Sequence, residues 1–174
     1  GFKLTRRSGF LLTPIFFLGF LLKKNNMRLL RTDHNHPDFK SLVETLNQEL
    51  SVRDGEDHAF YSQFNGLENL GQVVLAYEGN VAIGCGAFKF FETGKVEIKR
   101  MYTPPVGRKK GTATQVLKEL EVWAKELGNK SCVLETGKMQ LEAIALYKKQ
   151  GYKIIKNYGP YKMVEDSICL QKLL

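Results

Sequence analysis

Six consecutive residues, Arg108-Lys109-Lys110-Gly111-Thr112-Ala113, bring three cations, a glycine and a hydroxyl to the point where an extended stretch gives way to a helical pattern. The first N–H groups of a helix have no intrahelical partner and lie at the positive end of its dipole, so a turn that aims them at one point binds an anion. Gly111 would let the backbone approach closely, Thr112 would add a hydroxyl, and the three cations would add charge. A pyrophosphate suits such a turn. Taken alone, a glycine at a helix start is a turn residue and a basic run is a solvated face. The anion reading draws on the whole cassette. Strand-like VEIKRMYT (96–103) is ended by Pro104-Pro105, the basic turn follows, and then apolar residues recur at Ala113, Val116, Leu117, Leu120, Ala124 and Leu127. Spacing excludes two commoner phosphate loops. Gly107 and Gly111 are too close for a Walker loop, no Lys-Ser/Thr follows, and only one of the three glycines of G-x-G-x-x-G is present.

The cassette resembles the acyl-CoA pyrophosphate loop, R/Q-x-x-G-x-G/A, of the GNAT superfamily of N-acetyltransferases, with Arg108, Gly111 and Ala113 at its fixed positions. LETGKMQLEAIALYKKQGY (134–152) is similar to the family's next strand and helix, so the resemblance runs from Met27 to Leu174. It implies a three-layer α/β fold with a mixed, mostly antiparallel sheet. In that fold the strands matching Val96–Thr103 and Ser131–Thr136 are parallel and splay apart, leaving a notch for acyl-CoA. The implied activity is that of an acyltransferase, moving an acetyl group directly from acetyl-CoA to the primary amine of a small-molecule or amino-acid-like acceptor. Two alternatives stay open: acetylation of protein N-termini or lysines, and a non-catalytic acyl-CoA sensor.

Such a reaction needs an oxyanion donor near the thioester, a base for the ammonium and an acid for the departing thiolate. The resemblance places backbone groups of Met101 and Thr103, with Tyr102 between them, against the pantetheine and acyl carbonyl. Arg108, Lys109, Lys110, Gly111, Thr112 and Ala113 would hold the phosphates. Tyr147, in A-I-A-L-Y-x-x-x-G-Y, matches the family's tyrosine acid; otherwise it is a core tyrosine. Gln140 stands where the family commonly has an asparagine that bonds the cofactor, and Lys109 where it often has glycine. Glu97 matches the family's base. Its competing role is an ion pair with Lys99, its same-face neighbour two residues on. Lys99 and Arg100 could instead face the acceptor and favour a substrate carrying a carboxylate.

The surrounding pattern supplies elements to position these residues. Met27–Arg31 suits a first strand. Phe39, Leu42, Val43, Leu46 and Leu50 suit a helix, and Glu56–Phe64 a second short one whose aromatics could line the acceptor pocket. Gln72–Tyr77 and Val81–Phe91 form a hairpin across Gly79-Asn80, with Gly84 and Gly86 marking a bulge or a close approach. Gly128-Asn129 ends the helix after the cassette. Cys132–Thr136 is a strand, Leu141 to Tyr147 a helix ended by Gly151, and Tyr152–Ile155 and Ser167–Leu173 the last strands. Strands alternating with helices argue an α/β domain of layers.

Composition bounds the rest. With 174 residues, 43% apolar and 25% charged, one domain with a proper core is expected. The net charge of +8 is uneven. Lys3, Arg6, Arg7, Lys23 and Lys24 sit in residues 1–26 with no acid, leaving 21 basic against 18 acidic side chains elsewhere. That distribution argues against a nucleic-acid module. The apolar run Phe10–Leu22 is 13 residues long, short of the about 20 a bilayer needs. No small-residue cleavage site follows it. Residues 1–26 therefore read as a non-native, upstream or flexible extension, with no stable membrane association, and residues 27–174 as the single acetyltransferase domain. Cys85, Cys132 and Cys169 are widely spaced and suit reduced thiols in a cytoplasmic protein. His34 and His36 lack a convincing third ligand, so no metal is expected. A homodimer stays open.

Overall fold

In the computed structural model the described residues are 27–54, 66–68 and 70–174. The extension at 1–26 and the helical stretch expected at Glu56–Phe64 lie outside them. Strands β1 (Met27–Thr32), β2 (Gln72–Glu78), β3 (Val81–Glu92), β4 (Lys95–Tyr102), β5 (Ser131–Gly137), β6 (Lys153–Ile155) and β7 (Ser167–Leu173) form one sheet in the order β1-β2-β3-β4-β5-β7-β6. All neighbours are antiparallel except β4 and β5. The described helices are α1 (Pro37–Asp54), α2 (Thr112–Glu126) and α3 (Leu141–Lys149).

Two apolar clusters, one on each face, make the layers. Phe39, Leu42 and Val43 of α1 pack with Val73, Leu75 and Tyr102. Val116, Leu117, Leu120 and Ala124 of α2, with Tyr147 of α3, pack with Val96, Ile98, Cys132 and Leu134. The three-and-four spacing of α2 turns one stripe inward, and fully buried Leu117 and Leu120 each contribute about 2 kcal/mol. Arg31 on edge strand β1 also reaches α2, its Nε 2.7 Å from a Glu119 carboxylate oxygen. Among the described residues no helix is long and apolar enough to cross a membrane.

Two features of β4 prepare the site. The parallel pairing stops at Glu97 and Val133, so Ile98–Tyr102 and Leu134–Gly137 part company while β5 stays paired to β7 throughout. Opposite Gly86, β4 also carries an extra residue: Ala87 pairs with Lys99 but Cys85 with Tyr102. Arg100, at φ 57°, is the bulged position. Without it, alternation would send Met101 toward α1 and Tyr102 toward α2. With it, Met101 joins the α2 cluster and Tyr102 the α1 cluster. The Gly84 and Gly86 signal corresponds to close approaches as well as to this bulge. A Cβ on Gly86 would sit 2.4 Å from Met101 Sδ and 2.9 Å from Leu120, and one on Gly84 2.5 Å from Thr112 Cγ2.

Candidate active site

A cleft of about 660 Å³ runs from the start of α2 to Tyr147 of α3. The end at the start of α2 is built by backbone. Pro105–Gly107 forms a short 3₁₀ turn, Lys109 and Gly111 take left-handed conformations at φ 59° and 78°, and α2 then begins. The first carbonyl bonded within the helix is that of Gly111, which accepts from Gln115 N–H at 3.0 Å. The N–H groups of Thr112, Ala113 and Thr114 precede any such bond, at the positive end of a 15-residue helix. All three residues line the cleft with Arg108, Lys109 and Gly111.

The side chains of this turn are used differently from one another. Thr112 Oγ1 donates to the Gly107 carbonyl at 2.8 Å, so its hydroxyl closes the turn. Lys110 is outside the lining residues and pairs with Glu78 of β2. Arg108 Nε donates to the Thr103 carbonyl at 3.0 Å, and its Nη2 lies 3.2 and 3.0 Å from the two oxygens of Glu49 on α1. The Tyr102 hydroxyl donates to the same Glu49 at 2.7 Å. Burial, and then that bond, push the Tyr102 phenol up to about 12.

The other expected cofactor residues, Met101, Tyr102, Thr103, Gln140 and Tyr147, all line the cleft. Tyr147 is both core and cleft: it is 6% exposed and stacks edge-on against Tyr152 at 5.7 Å. Burial foremost, then the charge of Glu135, raise its phenol well above the usual value, so it holds its proton at neutral pH.

A smaller cavity of about 130 Å³ adjoins the cleft where β4 and β5 separate, and shares Leu46, Leu50, Met101, Gln140, Ala143 and Tyr147 with it. Ile98, Lys99 and Arg100 of β4 and Glu135 and Thr136 of β5 complete its lining. Glu97 lines neither cavity. It is 3% exposed and 3.4 Å from Lys89 Nζ and 3.5 Å from Lys99 Nζ, and it accepts from the Tyr158 hydroxyl at 3.1 Å. The ion pair with Lys99, the competing role for this carboxylate, is therefore present.

Sequence reasoning missed three contributors. Glu49 and the α1 leucines were legible only as helix surface and core stripe, and Glu135 as part of a strand. The register that creates the bulge at Arg100 carries no local signal except Gly86 opposite. Among the described residues no three His, Cys, Asp or Glu side chains gather closely enough to hold a metal. His34 Nδ1 lies 3.1 Å from the Leu70 carbonyl oxygen, and His36 Nδ1 accepts from Asp38 N–H at the start of α1.

Residues 39–152 match the family described as Acetyltransferase (GNAT) family. An IAA acetyltransferase of Azospirillum brasilense is 34% identical over 102 residues, covering 58% of this chain and 67% of that protein. An uncharacterized N-acetyltransferase of Schizosaccharomyces pombe is 29% identical over 146 residues, covering 79% of this chain and 90% of that one. Among solved structures, a GNAT family acetyltransferase from Elizabethkingia anophelis with acetyl-CoA bound superposes with a TM-score of 0.63 over 87% of this chain and 100% of that chain. At 22% identity this is a likeness of fold.

Proposed function

The chain belongs to the acetyltransferase (GNAT) family, which makes it an acyltransferase, and from that premise we propose that it transfers the acetyl group of acetyl-CoA to the primary amine of a small acceptor. The observation that carries this reading is the continuous cleft from the open N–H groups of α2 to Tyr147 beside the separated strands. Its donor set fits the cofactor: helix N–H groups and a cation at one end, a strand edge in the middle, a protonated phenol at the other.

Arg108, Lys109 and the N–H groups of Thr112, Ala113 and Thr114 would hold the pyrophosphate. Lys110, ion-paired outside the cleft, would add only longer-range charge. The exposed edge of β4 at Met101–Thr103 and the amide of Gln140 would hold the pantetheine arm. Acetyl-CoA supplies the acetyl thioester. Tyr147 would protonate the departing sulfur, and the desolvation that raises its phenol would also raise a thiolate beside it, which keeps the transfer feasible. Glu97, held by two lysines and Tyr158, would position Lys99. The small volume beside Tyr147 favours a small acceptor over a peptide. Three free, buried thiols support a reducing, cytoplasmic setting.

Thiol release from acetyl-CoA, measured against a panel of amines with wild type and Tyr147→Phe, tests the reading. Acceptor-dependent turnover should fall about 100-fold in kcat in the variant, with acetyl-CoA affinity nearly unchanged. Absence of acetyl-CoA binding by the wild type would overturn it.

A further inference from the structure

The small cavity between β4 and β5 has charges of opposite sign on its two walls. Alternation places Glu97 and Lys99 on the α1 face of β4, and the bulge adds the next residue to that face. Arg100 Nη1 donates to Asn47 Oδ1 of α1 at 3.0 Å. Two consecutive cations therefore stand side by side where a regular strand would have sent the second to the far face. The Tyr161 hydroxyl accepts from Lys99 Nζ at 3.0 Å, and Lys99 also lies over the Tyr161 ring. Across the gap, on β5, Glu135 belongs to the face opposite the buried Cys132 and Leu134, and Ser167 Oγ donates to it at 2.6 Å. The charged lining is Lys99, Arg100 and Glu135, while Glu97, flanked by Lys89 as well as Lys99, stands outside it.

Arg100 is a further sign of a built site. Its residue type is costly in the left-handed region and the residue is 8% exposed, yet the fold keeps it there. Burial draws the guanidinium down to about 10, which leaves it charged at neutral pH. Burial likewise lowers Lys99, opposed by Glu97. Desolvated cations of this kind gain most from an anion placed against them.

We propose that this cavity is the acceptor site and that the acceptor is a small amino acid, its carboxylate bound by Lys99 and Arg100 and its ammonium by Glu135. The inference rests on the acetyl-CoA reading above and narrows it to a substrate class. The two charged walls belong to strands that have only just parted and enclose about 130 Å³, so the two ends of the acceptor must be few atoms apart. Glu135 takes the first proton from the ammonium and passes it to solvent. The freed nitrogen forms the C–N bond as the thioester C–S bond breaks, and its second proton balances the one Tyr147 gives to the sulfur. N-acetyl amino acid, CoA thiol and one released proton are the products.

The test compares each standard α-amino acid with its carboxamide and its decarboxylated amine, reading thiol release by the full chain, with acetyl-CoA binding measured separately by calorimetry. At least one amino acid should exceed both of its partners by about 100-fold or more in kcat/KM, because the analogue lacks the carboxylate that Lys99 and Arg100 would bind in a desolvated site. In Lys99→Gln and Arg100→Lys that preference should shrink at least about tenfold, and Glu135→Gln should lower kcat by about 100-fold with acetyl-CoA binding retained. If an Arg100 variant fails to fold, the wild-type comparison and Lys99→Gln still decide. Equal or better turnover of the decarboxylated amines, or acetyl-CoA binding with no amino acid accepted, would overturn the inference and leave the cofactor reading standing. Loss of acetyl-CoA binding by the wild type would overturn both.

Discussion

Arg108 and Glu49 meet in the wall of the cleft, the guanidinium Nη2 within 3.2 Å of both carboxylate oxygens. The loop cation proposed for the pyrophosphate is thus already paired with α1, and on that proposal binding would exchange one anion for the other. Both side chains are partly exposed, at 43% and 30%, so the pair contributes at most about 1 kcal/mol. Glu49→Gln keeps an acceptor for the Tyr102 hydroxyl while releasing Arg108. Acetyl-CoA should then bind about two- to fivefold more tightly by calorimetry. Weaker binding would show instead that Glu49 helps hold the loop in its binding shape.

Lys109 sets a second trade. At φ 59° a lysine carries the steric cost of the left-handed region, about 1 kcal/mol, which glycine escapes. Glycine also makes the unfolded chain more flexible and offsets part of the gain. Lys109→Gly should raise Tm by about 1–3 °C and weaken acetyl-CoA binding through the lost charge. A lower Tm would show that the lysine side chain stabilises the turn by more than its backbone costs.

These two residues mark the limit of what the sequence shows. The strands, the Gly79-Asn80 hairpin and the α2 stripe are local patterns of alternation, turn chemistry and three-and-four spacing, and the structure reproduces them within a residue or two. Arg108, Gly111, Gln140 and Tyr147 were legible because they belong to one motif-bearing half of the chain, and all line the cleft. Glu49 lies 59 residues from Arg108 and Tyr158 61 from Glu97, and no local pattern announces such pairs. The bulge at Arg100 depends on how β3 and β4 register against each other. That one extra residue decides which way Met101 and Tyr102 face, so strict alternation reads them in reverse.

Alkaline pH should destabilise the fold through its thiols. Burial pushes Cys85 and Cys132 up to about 12 and Cys169 to about 11, from an ordinary 9.0. The folded chain then holds protons that the unfolded chain loses. The stabilisation is fully present below pH 9 and disappears as pH rises toward 11 to 12. Within that window each thiol costs about 1.4 kcal/mol per pH unit. Tyr77 and Tyr102, each raised to about 12, add to the loss above pH 10. Denaturant midpoints should fall between pH 8 and pH 10.5, and less steeply in Cys132→Ala. A flat profile would mean that the native thiols ionise as freely as unfolded ones.

Gly107 joins the 3₁₀ turn to both β3 and the start of α2. A Cβ there would lie 2.0 Å from the Ile83 carbonyl oxygen and 3.0 Å from its carbon, so β3 or the 3₁₀ turn must move. Neither can yield cheaply, because both are backbone. The Gly107 carbonyl also accepts from Thr112 Oγ1, so displacing the turn shifts the first turn of α2, whose residues line the cleft. Gly107→Ala should therefore cost about 2–3 kcal/mol of stability and weaken acetyl-CoA binding at least about tenfold. Gly71, where a Cβ would meet nothing within 4 Å, serves as the control, since Gly71→Ala should be neutral or slightly stabilising and leave affinity unchanged. Chemical denaturation and calorimetry on the two variants separate the effects. A destabilised Gly107→Ala protein that binds acetyl-CoA normally would show that α2 is positioned by its packing on β2 and β3 alone.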